Sequence, residues 1–298
     1  MVFSANFNII ADRFSFLKIK LKIQFILALS AFLALGACSI FKLPKDLGYG
    51  VLNYDDLEVV RDGLPTYLLL VDGALITYPK SRNLLLTAAS LNSAYSGVFI
   101  EDEARKLKMT EKAFEFSLRA ICLYEEQACQ IKSMPFKDFE VLVLSFDRKK
   151  DLPYLYSLAS NWTGYIQLTT DDYNSIAQLA RVEFIMKRVV ELDESYELGM
   201  ALVYLGAINS IVPPSLGGKP EVAKKYFEDA IAVSEGKNLI AKVIYAEKYA
   251  RLVFNEELHN RLLNEVIVSP SEVQGLTLQN EYAKQEAKRL LADGKDYF

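Results

Sequence analysis

The chain of 298 residues contains one histidine, His259, and three cysteines, Cys38, Cys122 and Cys129. General-base and zinc chemistry draw on well-placed imidazoles, and this set could barely fill one four-ligand site. A serine or cysteine nucleophile would have to use His259 as its base, and the surrounding Glu-Leu-His-Asn-Arg reads as polar and exposed. Carboxylates recur as doublets: Asp55-Asp56, Glu101-Asp102, Glu125-Glu126, Asp171-Asp172 and Glu256-Glu257. A glycosidase pair must face across a cleft, whereas adjacent residues of a helix point to different sides, so the doublets read as helix caps and solvated faces. Gly217-Gly218-Lys219 hints at a phosphate loop, but Pro220 stands where Ser or Thr is needed and no upstream glycine completes the spacing. No catalytic residues, metal site or cofactor are therefore expected. The net charge of −4 offers no basic field to nucleic-acid phosphates.

With chemistry set aside, the elements come into view. Hydrophobic residues make up 51% and charged residues 24%, a globular balance, and only 14 Gly and 9 Pro punctuate the chain. From about Gly63 to the end the pattern is helical. Breaks are expected near Pro79-Lys80, Ser133 to Pro135, Asp147 to Asp151, Thr169 to Asp172, Asp193 to Ser195, Val212 to Pro220, Gly236-Lys237 and Ser269-Pro270. Asp171 or Asp172 suits the N-cap of a helix from Tyr173, and Pro220 followed by Glu221 suits another start. Cys122 and Cys129 fall within one expected helix, about 10 Å apart along its axis. That is too far for a disulfide within a helix, so both read as small buried apolar side chains.

The amino terminus has a different character. Residues 13–22 carry Arg13, Lys18, Lys20 and Lys22 without an acid, and an apolar run follows from Phe25 to Leu35, ending in Leu-Gly-Ala-Cys. This is the anatomy of an export signal, and the ending resembles the bacterial lipobox, in which cleavage precedes a cysteine that then carries lipid. Residues 1–37 are expected to be the signal, 38–62 the lipidated Cys38 and a tether, and 63–298 the helical domain. The competing reading is an uncleaved membrane span, since residues 23–41 approach the roughly 20 residues a bilayer requires. Either way the bulk of the chain is expected outside the cytoplasm, facing the periplasm on a membrane. Ser39 is unlike the Asp that retains lipoproteins at the inner membrane, which favours the outer one.

The helices fall into pairs. One helix of each pair should carry a large residue, Leu three later, a small residue next and an aromatic three beyond, as in tetratricopeptide (TPR) repeats. Leu155, Leu158, Ala159 and Trp162 fit; Leu202, Leu205, Gly206 and Asn209 fit all but the last position; Tyr245, Ala246 and Tyr249 fit the second half. The partner helix should carry Ala, an aromatic four later and Ala three after that. Ala223, Phe227 and Ala230 match in full, Val182, Met186 and Val189 keep the spacing with larger residues, and Ala113, Ser117 and Ala120 keep it with a small centre. These spacings place each set on one helix face. Any core-facing helix shows such spacing, so the weight rests on several pairs in succession. The expected fold is all-α, a TPR-like superhelical array of antiparallel pairs in uneven register. Among 17 Tyr, 17 Phe and a single Trp, Tyr95, Trp162, Tyr196 and Tyr204 are nominated as lining a ligand groove, against the competing reading of core packing. Asn161-Trp162-Thr163 forms a glycosylation sequon that mid-helix reads as chance.

Taken together these segments resemble the T-component (TatT) family associated with TRAP transporters, periplasmic lipoproteins of TPR-like fold. The resemblance covers roughly Gly63 to Phe298. It rests above all on Leu216-Gly217-Gly218-Lys219-Pro220-Glu221, then Ala223, Tyr226-Phe227 and Ala230-Ile231. Gly63-Leu64-Pro65, Trp162, Glu191-Leu192-Asp193 with Tyr196, Tyr245-Ala246, Leu262 to Val266, and a last helix with Asn280, Ala283, Ala287 and Leu290-Leu291 complete it. Ser117 and the stretch 127–150 depart from the pattern. The resemblance implies a non-enzymatic accessory that partners the substrate-binding P component of a TRAP transporter, forms a homotrimer and handles an apolar or amphipathic ligand. The alternative is a lipoprotein scaffold for envelope assembly that binds no small molecule.

Overall fold

The computed structural model describes residues 50–298; the expected export signal (1–37), Cys38 and the first part of the expected tether lie outside the described residues. Helix α1 (Leu57–Thr77) starts where the Asp56 carboxylate accepts from the amides of Glu58 and Val59, six residues before Gly63 and inside the stretch read as tether. Other acidic doublets also meet helix starts. Asp102 caps α3 (Glu103–Tyr124), Glu125 precedes a 3-10 turn (Glu126–Gln130), and Asp172 caps α6 (Tyr173–Ala177). Glu256 and Glu257 occupy the first turn of α11 (Glu256–Val268). Carboxylates settle there because the unpaired amides and the positive end of the helix dipole favour them.

The remaining helices are α2 (Arg82–Phe99), α4 (Phe136–Ser145), α5 (Leu152–Leu168), α7 (Leu179–Leu192), α8 (Met200–Asn209), α9 (Pro220–Val233), α10 (Leu239–Ile244) and α12 (Thr277–Tyr297). Helix α10 runs on as a wider π-turn over Tyr245–Ala250. The described residues contain these twelve α-helices and no strand. They stack as antiparallel pairs, α2 with α3, α5 with α7, α8 with α9 and α10 with α11; α1 packs on α2, α4 on α7, and α12 covers α10 and α11. Residues 52–298 form one compact unit. No helix of the described residues is long and apolar enough to cross a membrane.

The repeat positions explain the stacking. Leu155, Leu158, Ala159 and Trp162 are all buried, as are the partner-helix sets Ala113, Ser117, Ala120; Val182, Met186, Val189; and Ala223, Phe227, Ala230. A side chain at Gly206 would place its Cβ 2.8 Å from Cζ of Phe227, so the glycine lets that ring seat against α8. The same ring stacks on Tyr245 of the next pair at 5.0 Å, and Trp162 meets Phe114 of the previous pair at 5.3 Å. Each large ring thus ties its own pair to a neighbouring one. Helix α8 joins the two halves of the core, giving Ala201 and Leu205 to one and Leu202 and Val203 to the other.

Several expectations need correction. Cys122 and Cys129 form a disulfide with Cα atoms 4.3 Å apart, Cys129 being exposed and Cys122 only half-buried. The separation calculated along one helix does not apply, because α3 ends at Tyr124, Glu125 is extended, and the 3-10 turn folds Cys129 back. His259 is fully buried. Its Nε2 accepts from Arg251 Nε at 3.4 Å, its Nδ1 lies 3.0 Å from Asn260 Oδ1, and Phe298 meets the ring edge-on. The polar residues around it take the outer face of α11 while the imidazole points inward. Besides the one at Glu125, breaks fall without Gly or Pro at Ile100 to Asp102 and at Phe254-Asn255, where Phe254 turns left-handed (φ 51°) and Asn255 caps α11. The departures at 117 and 127–150 also gain reasons. Ser117 Oγ bonds Ser157 Oγ at 2.9 Å and accepts from Asn161 Nδ2 at 2.9 Å, a polar contact in place of an aromatic wedge. The stretch 127–150 supplies α4, whose Phe139 packs against Phe184 of α7.

Candidate functional site

The first helix of each pair uses one face for the core and presents another to the concave side of the array. On α2 the concave positions are Ser93, Ala94, Ser96, Gly97 and Val98; on α5 they are Ser160, Thr163, Gly164, Gln167 and Leu168. On α8 they are Met200, Val203, Tyr204 and Ala207, and on α10 with its π-turn Ile240, Val243, Ile244, Glu247 and Lys248. With Lys106 and Thr110 of α3 and Tyr282 and Glu286 of α12, they enclose a cavity of about 460 Å³, a usual size for a small-molecule site.

The walls are graded. The α2, α3 and α5 side is richer in hydroxyls and small residues, with Gln167, Lys106, Val98 and Leu168 among them, and the α8 and α10 side is richer in Met, Val and Ile, with Tyr204, Glu247 and Lys248 among them. Ser96 Oγ donates to the Ser93 carbonyl and lies 3.1 Å from Thr110 Oγ1; Ser160 and Thr163 donate to carbonyls of their own helix. Carbonyls within a helix already accept from the backbone, so these hydroxyls can turn to a guest without orphaning a partner. Gly97 faces open space, with nothing within 4 Å of a Cβ built there. Charge is sparse. Glu247 pairs with Lys248 at 3.3 Å and Glu286 with Arg289 at 2.8 Å.

Of the four nominated aromatics, Tyr204 lines this cavity and the other three do not. Burial raises its hydroxyl to about 12, as it does that of Tyr282, where Glu286 and Glu247 add to the shift and Arg289 opposes it. Tyr156 packs edge-on against both Tyr196 (5.5 Å) and Tyr204 (6.3 Å), bringing two of the nominated rings around a third. Burial also raises the Tyr156 and Tyr196 hydroxyls. Tyr95 is buried beside Phe99 with the Arg105 guanidinium over its ring, and Trp162 belongs to the core. Sequence reasoning sought aromatics and missed the hydroxyl wall. The available signal was Ser93, Ser96 and Gly97 beside Ser160, Thr163, Gly164 and Gln167, two small polar stripes at matching helical spacing.

The Leu216–Pro220 loop lies outside the cavity lining. Gly217 has φ +88°, and a Cβ on Gly218 would fall 1.8 Å from the Val212 carbonyl oxygen, so both positions require glycine. Lys219 is exposed at the N-cap of α9, Pro220 fills its first turn and Glu221 follows; Leu216 is exposed.

Helices stacked in pairs beside such a cavity define an all-α, TPR-like architecture. The sequence over residues 53–298 matches the model of the TRAP transporter T-component family (TAtT), and the chain belongs to that family. It is accordingly an accessory component of a TRAP-type transport system, associated with the cell envelope. No curated protein matches the chain.

Proposed function

We propose that this protein is a membrane-anchored periplasmic accessory that partners the substrate-binding P component of a TRAP transporter and holds an amphipathic ligand on its concave face. The graded cavity carries the ligand reading. The hydroxyls of the lining belong mostly to α2, α3 and α5 and its aliphatic side chains mostly to α8 and α10, an uneven distribution that suits a molecule with one wet and one dry end. The role is binding: the aligned side chains give shape and polarity to a cavity and no nucleophile–base pair. The Cys122–Cys129 disulfide supports an exported location, because such bonds persist in oxidising compartments.

In this reading residues 1–37 are removed, Cys38 carries acyl chains that hold the protein at the outer membrane, and a tether leads to the helical domain, whose first helix begins at Leu57. Two or more acyl chains suffice for stable anchoring. A homotrimer is the assembly proposed, supported by the outward face of α1, where Leu69, Leu70 and Ile76 are 72%, 63% and 84% exposed. The P-component partnership is tested by co-purifying the full chain with the solute-binding protein of a TRAP transporter from the same cell and weighing the complex by native mass spectrometry. A complex with three copies of this chain is expected. Failure to associate at micromolar concentrations would favour a scaffold that serves other envelope proteins.

A further inference from the structure

We infer that Lys106 is the residue by which the cavity selects an anionic head group, so that the ligand is an amphipathic monoanion lying with its head toward α3 and its aliphatic tail toward α8 and α10. The inference rests on the ligand reading of the cavity given above. Lys106 is half-buried in the cavity wall, beside Thr110 and the small residues of α2. The other charged groups of the wall are neutralised in pairs, Glu247 by Lys248 and Glu286 by Arg289. Lys106 has neither an ion pair nor a side-chain hydrogen bond among the described residues.

Its position makes that isolation informative. Lys106 lies in the first turn of α3, its amide donating to the Asp102 carbonyl at 2.8 Å. The positive end of a helix dipole disfavours a cation there, so neither the helix nor a neighbouring acid accounts for the ammonium. An anionic guest supplies the missing partner. Around it, Ser96, Thr110 and Gln167 offer hydroxyls and an amide to the remaining lone pairs of a carboxylate-like head. On α8 and α10, Met200, Val203, Ile240 and Val243 offer aliphatic surface to a tail, beside the Tyr204 ring and the Glu247–Lys248 pair. A neutral amphiphile would leave the ammonium half-desolvated and unpaired, which costs free energy that an anion restores.

The test uses the full chain in phospholipid nanodiscs and two photo-crosslinking probes, a decanoate with a diazirine near its tail and the matching decanol. Labelled peptides are read by mass spectrometry. The expected result is that decanoate labels α8 and α10, that Lys106→Gln weakens its half-saturation about tenfold or more, that Lys106→Arg retains most of it, and that decanol labelling is the same in all three proteins. Equal loss of both probes in Lys106→Gln would make the lysine merely structural and overturn the assignment. Unchanged decanoate labelling in Lys106→Gln would also overturn it while leaving the cavity reading in place. Labelling of neither α8 nor α10 by either probe in the wild type would sink both.

Discussion

Gly206 should tolerate no side chain as long as Phe227 is present, and this can be worked through in numbers. A Cβ at residue 206 would sit 2.8 to 2.9 Å from three atoms of the Phe227 ring. Carbon atoms rest about 3.5–4.0 Å apart, so the ring would have to retreat by nearly 1 Å. It cannot do so freely, being fully buried and stacked on Tyr245 at 5.0 Å, which itself packs on Tyr249. Overpacking of this kind costs about 1–3 kcal/mol. Alanine in place of glycine inside a helix returns about 1 kcal/mol. Gly206→Ala should therefore destabilise the protein by about 1 kcal/mol. In a Phe227→Leu background the clash disappears and only the helix gain remains, so the same substitution should become stabilising. The coupling in this double-mutant cycle is then about 2 kcal/mol. Urea denaturation followed by far-UV circular dichroism measures all four proteins. Additive effects, or a stabilising Gly206→Ala in the wild-type background, would refute the packing argument and with it the TPR-like register of α8 against α9.

Three further outcomes follow from particular contacts. Reducing the Cys122–Cys129 bond, or replacing both cysteines by serine, should lower stability by about 2–3 kcal/mol through loop-closure entropy; denaturation with and without a reductant reads this directly. Asp151 is buried, which pushes its carboxyl up, but a hydrogen bond from Tyr124, one from the Arg148 amide at 2.9 Å and the Arg148 guanidinium outweigh that and hold it below its ordinary value. Its contribution is therefore present above about pH 4 and lost as pH falls through the depressed folded value; Asp151→Asn should be less stable at neutral pH and show a flatter acid limb in pH-dependent denaturation. Gly97→Leu should leave the midpoint of thermal unfolding unchanged or slightly raised, since leucine favours a helix over glycine, while its side chain fills the open space found there and abolishes decanoate labelling. Retained labelling would place the ligand elsewhere.

Much of the array was legible because its signals are local. Ala223, Phe227 and Ala230 announce a packed face through spacing alone, and Asp172 and Pro220 announce helix starts through unpaired amides. The Leu-Gly-Gly-Lys-Pro block is legible too, since its two glycines answer a positive φ and a carbonyl that no side chain could approach. What escaped depends on chain direction. Nothing at Tyr124-Glu125 resembles a breaker, yet the helix ends there and the disulfide depends on that ending. His259 looked exposed because its neighbours are polar, while one turn of a helix suffices to bury it. The cavity wall was the hardest to read. Ser93, Ser96, Ser160 and Thr163 are of the residue types found on solvated faces, and only the superhelical curl turns those faces toward one another.

The most direct test of the account is a crystal structure of the protein grown with decanoate. A single molecule is expected in the concave cavity, its carboxylate within hydrogen-bond reach of Lys106 Nζ and its tail against Met200, Val203 and Ile240. A cavity holding only water, with decanoate bound instead on the outer face of α1 or nowhere, would contradict it.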